Sequence, residues 1–380
     1  MACRFAKRAL MGDISMNQRF DRKVVLEDGS VFEGFGFGSL NDKFVELVFN
    51  TSMVGYQEIL SDLSYTDQAV VMTYPLIGNY GICDGDNESD TPGISGMIVR
   101  NCCDGPSNFR CGATLDDTMK KYDIAGISGI DTRTLTRHIR DKGSCKALIT
   151  DAGNDKALDD LSKWIPSTDQ VARASTKNTY VIPAPSGRSC RPVVVIDCGI
   201  KKNILRMMSK RDVPLTVVPW DTDAETIMNF DPCGVFISNG PGDPESCVPT
   251  IQTMKALIGK IPIFGICLGH QIISLAYGAK TYKLKFGHRG GNHPVRNMLT
   301  GKIEITSQNH SYAVVPESLA GTGLEITHIN LLDDTVEGVE CKDDMLFSVQ
   351  YHPESAPGPC DSEYLFDMFY ENIRRRCINA

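Results

Sequence analysis

The order of apolar and polar positions changes near residue 190, and the two parts of the chain predict different folds. Beyond that point, continuous apolar runs at Pro192–Asp197, Gly234–Ser238 and Ile261–Phe264 alternate with segments of helical pattern. Apolar strands separated by helices are typical of a parallel sheet that is covered on both faces. We therefore predict a doubly wound, mostly parallel α/β domain over residues 191–380.

Residues 1–150 show the shorter, alternating pattern of a β-rich α+β domain. Asp28 and Gly29 stand between alternating apolar residues, which is a strong signal for a β-hairpin. Asp131 is a candidate N-cap for a helix that Gly143 would end. This part of the chain is therefore predicted to contain several short strands with a few helices.

Two segments are predicted to lie outside both domains. Residues 151–190 end in a run rich in Pro, Ser and Gly, which is typical of a linker. Residues 1–20 are basic at Arg4, Lys7 and Arg8 and lack an amphipathic pattern, so a disordered N-terminus is predicted. A short organellar targeting sequence is the alternative for these residues.

Composition and charge exclude several classes of function. Hydrophobic residues make up 42% of the 380 residues and the formal net charge is −8, so the chain lacks the basic surface that nucleic-acid binding requires. No apolar run approaches the ~20 residues that span a bilayer. Fourteen cysteines occur without a CxxC pair, which indicates reduced thiols and a cytoplasmic protein.

The first candidate for chemistry is Cys267, within residues 265–271, which read Gly-Ile-Cys-Leu-Gly-His-Gln. The motif follows an apolar strand and precedes a helical segment, as the nucleophile does in the Gly-x-Ser-x-Gly turn of hydrolases. A cysteine at a helix N-terminus is favoured as the reactive thiolate by the helix dipole. Cys267 is therefore predicted to be a nucleophile.

Partners for this thiol occur far downstream. His352 follows an apolar strand and Glu354 stands two residues on, so an imidazole and a carboxylate could complete a triad. The N–H of Leu268 and the glycine loop from Gly240 to Gly242 could stabilise an oxyanion. An isolated cysteine is more often an inert core residue, but the turn and the His-x-Glu sequence together favour catalysis.

Other histidines and cysteines are given structural interpretations. His270, on the helical segment after Cys267, is interpreted as a packed histidine rather than as a residue that supports the active site. His288 and His293 have a spacing that suggests a metal site, but no carboxylate or thiol accompanies them in sequence, so a structural loop is predicted instead. The cysteines near residue 102 are interpreted as ordinary thiols. No metal site is predicted in this chain.

These motifs, with three further strings, resemble known proteins. The thiol motif and His352-Pro-Glu resemble the triad of class I glutamine amidotransferases. Residues 283–295, 49–58 and 129–133 resemble the small subunit of carbamoyl-phosphate synthase, and the resemblance extends from about residue 22 onward. Other amidotransferases have the triad but lack the N-terminal strings.

The resemblance implies that glutamine is hydrolysed through a thioester on Cys267 and that ammonia passes to a large synthetase subunit. That subunit would bind ATP and magnesium and use bicarbonate to make carbamoyl phosphate for pyrimidine or arginine synthesis, in a heterodimer or a higher assembly. No cofactor is expected in this chain. The positions that match the family's glutamine-binding residues are Ser52, Gly240, Gly242, Leu268, Gln271, Asn309, Ser311 and Tyr312.

The chain departs from the family's pattern at Ser311, at Tyr312, where phenylalanine is usual, and at Ser355, where alanine is common. Ser311 stands where glycine is usual, and a serine would be strained if the backbone there required a positive φ.

Three rival functions are left open by the residues. A glutaminase that serves another synthetase, such as one for anthranilate or GMP, is disfavoured by the N-terminal strings. A non-catalytic subunit is disfavoured because Cys267, His352 and Glu354 are all present. A thiol peptidase is disfavoured by the matches at Gln271 and Asn309.

Overall fold

The computed structural model describes residues 20–188 and 190–379, so the predicted disorder of the first twenty residues lies almost wholly outside the described part of the chain. The described strands are β1 (Arg22–Leu26), β2 (Val31–Gly38), β3 (Lys43–Asn50), β4 (Gln68–Met72), β5 (Leu76–Ile77), β6 (Ile82–Cys83), β7 (Gly96–Ile98), β8 (Asn101–Cys102), β9 (Cys111–Ala113), β10 (Ala125–Ser128), β11 (Cys145–Thr150), β12 (Tyr180–Ile182), β13 (Val193–Asp197), β14 (Leu215–Pro219), β15 (Gly234–Ile237), β16 (Ile263–Ile266), β17 (Thr281–Asn297), β18 (Ile303–Val314), β19 (Glu325–Asn330), β20 (Val336–Cys341) and β21 (Leu346–Val349). The α-helices are α1 (Tyr56–Ser61), α2 (Leu115–Lys121), α3 (Thr132–Lys142), α4 (Asn154–Lys163), α5 (Gln170–Ala174), α6 (Lys202–Ser209), α7 (Ala224–Asn229), α8 (Val248–Leu257), α9 (Leu268–Ala276) and α10 (Tyr364–Asn379).

The N-terminal part is a closed seven-stranded barrel with the order β1-β11-β3-β4-β7-β10-β2. The predicted hairpin is present as the antiparallel pair β1 and β2, with Gly29 at a φ of 86° in the turn. Asp131 caps α3 by accepting a hydrogen bond from the N–H of Thr134, and Gly143 follows the helix. Leu135 of α3 packs into the apolar cluster inside the barrel.

The C-terminal part is built on a ten-stranded sheet with the order β12-β14-β13-β15-β16-β21-β20-β19-β17-β18. The strands from β14 to β21 in that order pair in parallel, and apolar clusters cover both faces. In β15, for example, Val235 and Ile237 face α8 and α9 while Phe236 faces α10. The predicted fold class is thus confirmed, and an antiparallel extension from β20 to β18 is added to it.

The segment predicted as a linker contains regular structure. Ala157 and Leu161 of α4 pack against Val25 and Leu148 of the barrel. Strand β12 pairs with β14 at the edge of the large sheet. The connection therefore belongs partly to each of the two folded units.

Parallel strands place their carboxyl ends at one edge of the sheet, where ligands bind in such folds. Strand β15 leads there to the glycine loop, β16 to Cys267, and β21 to His352. Three segments far apart in sequence thus meet at one place. No helix among the described residues combines the length and apolar composition needed to cross a bilayer.

Candidate active site

Cys267 occupies a sharp turn between β16 and α9. Its backbone has a φ of 54° and a ψ of −103°, a region that non-glycine residues rarely adopt. Such a conformation costs about 1–3 kcal/mol and persists only where the surroundings enforce it. The strained residue of the turn is therefore the nucleophile itself and not a glycine beside it.

The two flanking glycines serve close packing. A Cβ added to Gly269 would lie 2.3 Å from the carbonyl oxygen of Ile237, and one added to Gly265 would lie 2.5 Å from Cδ1 of Ile273. Neither glycine has a positive φ. Glycine is needed at both positions because helix α9 lies directly against the strands, which fixes the place of Cys267.

His352 and Glu354 form a buried pair. His352 Nδ1 lies 2.7 Å from Glu354 Oε1, and both side chains are fully enclosed. Burial and Lys201 lower the pKa of His352, but Glu354 and the Cys267 side chain raise it by more, to about 9. Burial raises the pKa of Glu354, and His352 and Lys201 lower it below its usual value. The pair is therefore an imidazolium held by a carboxylate.

The thiol faces the free side of this imidazole. His352 Nε2 is buried without a hydrogen-bond partner of ordinary geometry among the described residues, yet Cys267 contributes to raising the ring's pKa. Cys267 Sγ lies 3.6 Å from the carbonyl oxygen of Asn309 and its side chain is 2% exposed. The structure thus brings the three predicted catalytic residues together.

Lys201 is a member of the site that the sequence interpretation missed. Its Nζ lies 3.2 Å from Glu354 Oε1 and 3.8 Å from Asp62 Oδ2, and the residue is 3% exposed. Burial lowers the pKa of this lysine, but the nearby carboxylates raise it above its ordinary value, so the side chain stays charged. The sequence did contain one indication of this role: Lys201 is a charged residue shortly after the predicted parallel strand β13, and functional residues lie at the carboxyl ends of such strands.

A cavity of about 410 Å³ opens beside Cys267 at the junction of the barrel and the large sheet. It is lined from the barrel side by residues such as Glu46 and Lys146. The residues matching the family's glutamine-binding positions that line it are Gly240, Gly242, Gln271, Asn309, Ser311 and Tyr312. Two members of the predicted set do not line it: Leu268 packs against Gly240, and the N–H of Ser52 donates to Asn50.

The polar side chains of the cavity are oriented by hydrogen bonds. Gln271 Nε2 donates to the carbonyl oxygen of Tyr312 at 2.8 Å and to Gln350 Oε1 at 2.9 Å. Asn309 Nδ2 donates to Asp62 Oδ2 at 2.9 Å, so the barrel holds this residue directly. The cavity therefore depends on contacts between the two folded units.

Arg289, which the sequence interpretation missed, forms a second polar group with the predicted residue Ser311. Ser311 lies in β18 and is not among the residues with positive φ, so serine is not strained there. Its Oγ accepts a hydrogen bond from Arg289 Nη2, and Arg289 Nη1 donates to the carbonyl oxygen of Phe286 at 2.7 Å. Arg289 is 3% exposed, and no described carboxylate lies within 4.0 Å of its nitrogens. The cavity therefore contains a buried cation without a directly paired anion.

The other histidines differ in their surroundings. His270 is buried, its Nδ1 lies 2.9 Å from Ser348 Oγ, and burial lowers its pKa to about 3, as packing predicts. His288 and His293 lie in strand β17 and not in a loop. The premise that no carboxylate accompanies them was wrong, because the fold brings Asp333 to His288 Nε2 at 2.8 Å.

Comparison with known families divides the chain at the same place as the fold does. Residues 24–149 match the model of the carbamoyl-phosphate synthase small chain, CPSase domain. Residues 194–372 match the model of class I glutamine amidotransferases. The two matched regions cover the barrel and the large sheet, respectively.

Relatives match over nearly the whole chain. The carbamoyl phosphate synthase small chain of Fusobacterium nucleatum is 52% identical over 356 residues, covering 93% of this chain and 98% of the relative. That of Bacillus caldolyticus is 52% identical, covering 93% and 96%. The pyrimidine-specific small chain of Bacillus subtilis is 50% identical, covering 93% and 96%. The chain belongs to the carbamoyl-phosphate synthase small-chain family, and its C-terminal part is a class I glutamine amidotransferase domain.

Proposed function

We propose that this chain, as the glutaminase subunit of a carbamoyl-phosphate synthase, hydrolyses glutamine through a thioester on Cys267 and supplies ammonia to its larger partner subunit. The observation that carries the proposal is the position of Cys267. The thiol stands at a strained turn beside the buried pair of His352 and Glu354 and on the wall of a cavity. The cavity is lined by most of the residues that match the family's glutamine-binding positions.

In the first half of the reaction, Cys267 Sγ, whose proton is held by the His352 imidazolium, attacks the carboxamide carbon of glutamine. The negative charge that develops on the carboxamide oxygen would be stabilised by the N–H of Leu268, the first residue of α9, and by the loop after β15. His352, held in one orientation by Glu354, gives a proton to the leaving nitrogen, and ammonia departs. The result is a glutamyl thioester on Cys267.

In the second half, water attacks the thioester carbon. His352 accepts the proton of that water and the C–S bond breaks. Glutamate leaves, and Cys267 is released as a thiolate beside the reprotonated His352 imidazolium. A single imidazole thus acts first as an acid and then as a base. Its burial keeps bulk water from competing with this transfer.

The larger partner subunit would consume the ammonia. We propose that it binds ATP and magnesium and makes carbamoyl phosphate from ammonia and bicarbonate, and that the two subunits assemble at least as a heterodimer. This chain needs no cofactor for its own half of the chemistry, because the nucleophile, acid and base are side chains. A glutaminase that serves another synthetase is disfavoured because residues 24–149, which match the small-chain CPSase domain, form the barrel here.

The test is glutamate release by the purified chain, alone and with the larger subunit, for wild type, Cys267→Ser and Cys145→Ser. Cys145 is a matched control because its thiol lines the same cavity, while burial raises its pKa to about 12 and leaves it unreactive. We expect slow hydrolysis alone, acceleration with the partner, and loss of ~10³-fold or more in Cys267→Ser only.

A second measurement identifies the intermediate. Acid quenching during turnover followed by peptide mass spectrometry should find a glutamyl adduct on Cys267. Undiminished hydrolysis by Cys267→Ser would overturn the mechanism. If no larger subunit bound or stimulated the chain, the assignment of the partner would be wrong while the glutaminase chemistry stood.

A further inference from the structure

Three buried side chains with metal-binding atoms converge in the antiparallel extension of the large sheet. His288 lies on β17, His310 on β18 and Glu337 on β20. One ligand atom from each lies within 4.8 Å of the others. The residues are 7%, 5% and 0% exposed, respectively. Strand pairing, rather than spacing in the sequence, creates this cluster.

The hydrogen bond of His310 determines its tautomer. Nδ1 lies 2.8 Å from the carbonyl oxygen of Tyr312, and a carbonyl can only accept, so the proton must be on Nδ1. Nε2 therefore carries a lone pair, and it is buried without a hydrogen-bond partner among the described residues. A backbone carbonyl that orients an imidazole in this way is typical of metal-binding histidines.

His288 has the same type of support from a carboxylate. Its Nε2 lies 2.8 Å from Asp333 Oδ2, while Nδ1 is buried without a hydrogen-bond partner in the described part of the chain and lies 3.7 Å from Glu337 Oε1. With the proton on Nε2, the lone pair of Nδ1 points into the cluster. Asp333 would then be the outer member of a carboxylate–histidine–metal arrangement.

Two amides orient Glu337. Asn330 Nδ2 donates to Oε1 at 2.9 Å, and Gln308 Nε2 donates to Oε2 at 3.0 Å. Each carboxylate oxygen keeps a further lone pair, because an ionised carboxylate can accept about four hydrogen bonds. The carboxylate is thus fixed in place without being saturated.

We propose that His288, His310 and Glu337 form a binding site for a divalent transition metal with the ligand preferences of Zn²⁺. Two imidazoles and one carboxylate are a donor set that zinc accepts, with ligands about 2.0–2.2 Å from the ion and so about 3.4 Å from one another. The 3.7 Å between His288 Nδ1 and Glu337 Oε1 is already close to that spacing. His293 lies next to the cluster: the centroid of its ring is 5.3 Å from that of His288, and its Nδ1 is buried without a partner among the described residues.

The site would act on the active-site cavity through β18. His310 stands between Asn309 and Ser311 on this strand, and all three residues contribute to the lining of the cavity. A metal that joins β17, β18 and β20 would therefore hold a strand that forms part of the cavity wall. The inference does not depend on glutamine being the substrate.

The alternative occupant of the cluster is a proton. Burial lowers the pKa of His288, but Asp333 and Glu337 raise it by more, to about 9, so in the metal-free protein an imidazolium lies between the two carboxylates. A metal ion must displace that proton, because only the neutral imidazole is a ligand. The two occupants predict different metal contents, which can be measured.

The test is metal binding to the chelator-treated full chain. After incubation with Zn²⁺ and gel filtration, metal content is measured by mass spectrometry, and Co²⁺ is titrated separately while its visible absorption is recorded. We expect one ion per chain, with the Co²⁺ bands of a nitrogen- and oxygen-ligated tetrahedral site and without the thiolate charge-transfer band that the protein's free cysteines would produce. About a hundredfold excess of Zn²⁺ over its Kd should raise the thermal midpoint by about 5 °C.

The matched variants are Glu337→Gln, His310→Gln and the control His328→Gln. His328 is also a buried histidine of the antiparallel extension, but its Nδ1 lies 2.9 Å from Thr327 Oγ1 and it is outside the cluster. Both cluster variants should lose the ion and the thermal shift, and the control should keep them. Should the cluster variants fail to fold, the wild-type Co²⁺ spectrum and stoichiometry decide alone. Absence of stoichiometric metal in wild type, or metal kept by folded cluster variants, would overturn the proposal.

Discussion

Lys201 and His352 share one carboxylate oxygen: Lys201 Nζ lies 3.2 Å and His352 Nδ1 2.7 Å from Glu354 Oε1. The same ammonium lies 3.8 Å from Asp62 of the barrel domain. All of these groups are buried, so their charges interact in a medium that screens little. The barrel is therefore linked electrostatically to the acid–base group of the glutaminase.

Replacing Lys201 should shift the pH dependence of glutamine hydrolysis. Lys201 lowers the pKa of the His352 imidazolium that acts as the acid, so Lys201→Met should raise that pKa and move the alkaline limb of kcat/KM to higher pH. The measurement is the pH profile of glutamate release. Lys202→Met is the matched control, because the neighbouring lysine pairs with Asp90 at the surface. An unmoved limb in Lys201→Met would show that the two charges are not coupled.

Replacing Glu354 should move the same limb in the opposite direction. Glu354 raises the pKa of His352, so Glu354→Gln should lower that pKa and move the alkaline limb to lower pH. The rate should also fall by ~10²–10⁴-fold, because the imidazole loses the partner that sets its tautomer. Glu371→Gln, which removes an exposed carboxylate of α10, should change neither quantity. A limb displaced to higher pH would contradict this account.

The close packing of helix α9 predicts that one methyl group added at Gly269 lowers both stability and activity. A Cβ at position 269 would overlap the carbonyl oxygen of Ile237, so Gly269→Ala should push the helix from the sheet and displace Cys267. We expect a thermal midpoint lower by about 5 °C and loss of most activity. Gly153→Ala is the control, because its φ is −58° and a Cβ there meets nothing within 4 Å. Equal behaviour of the two variants would refute the packing argument.

Arg289 should contribute to substrate binding. Its guanidinium lines the cavity with no carboxylate within 4.0 Å among the described residues, and Glu46 acts on it only at longer range. An anionic group of the substrate, such as the α-carboxylate of glutamine, would therefore be its close counter-charge. Arg289→Met should raise KM by roughly 10- to 100-fold, the worth of about 1.5–3 kcal/mol for hydrogen bonds to a charged group. Arg296→Met, exposed on the same strand, is the control. An unchanged KM in Arg289→Met would show that Arg289 does not contribute to substrate binding.

Ser311 should act through Arg289. Its hydroxyl accepts a hydrogen bond from the guanidinium, so Ser311→Ala should loosen Arg289 and raise KM less than Arg289→Met does. Because the backbone at Ser311 does not have a positive φ, Ser311→Gly should bring no relief of strain and no gain in thermal stability. Steady-state kinetics and thermal unfolding of both variants check these expectations.

The sequence by itself determined the features that depend on local order. Alternation around Asp28-Gly29 predicted the first hairpin, the cap at Asp131 predicted the start of α3, and continuous apolar runs predicted the parallel strands. The position of Cys267 between a strand and a helix was also local, and so was the two-residue spacing of His352 and Glu354. These predictions succeed because strand, turn and helix preferences act over only a few residues.

Only the tertiary structure decided the features that depend on pairing between distant segments. The junction of the two folded units brings Asp62 to Lys201, and the antiparallel extension brings Glu337 and Asp333 to His288. Because these groups are buried, the contacts shift their pKa values strongly. Neither the composition nor the spacing of the residues in the sequence predicts these shifts. The chemistry of the chain follows from short motifs, whereas its supporting charges follow from strand register and from the junction of two folded units.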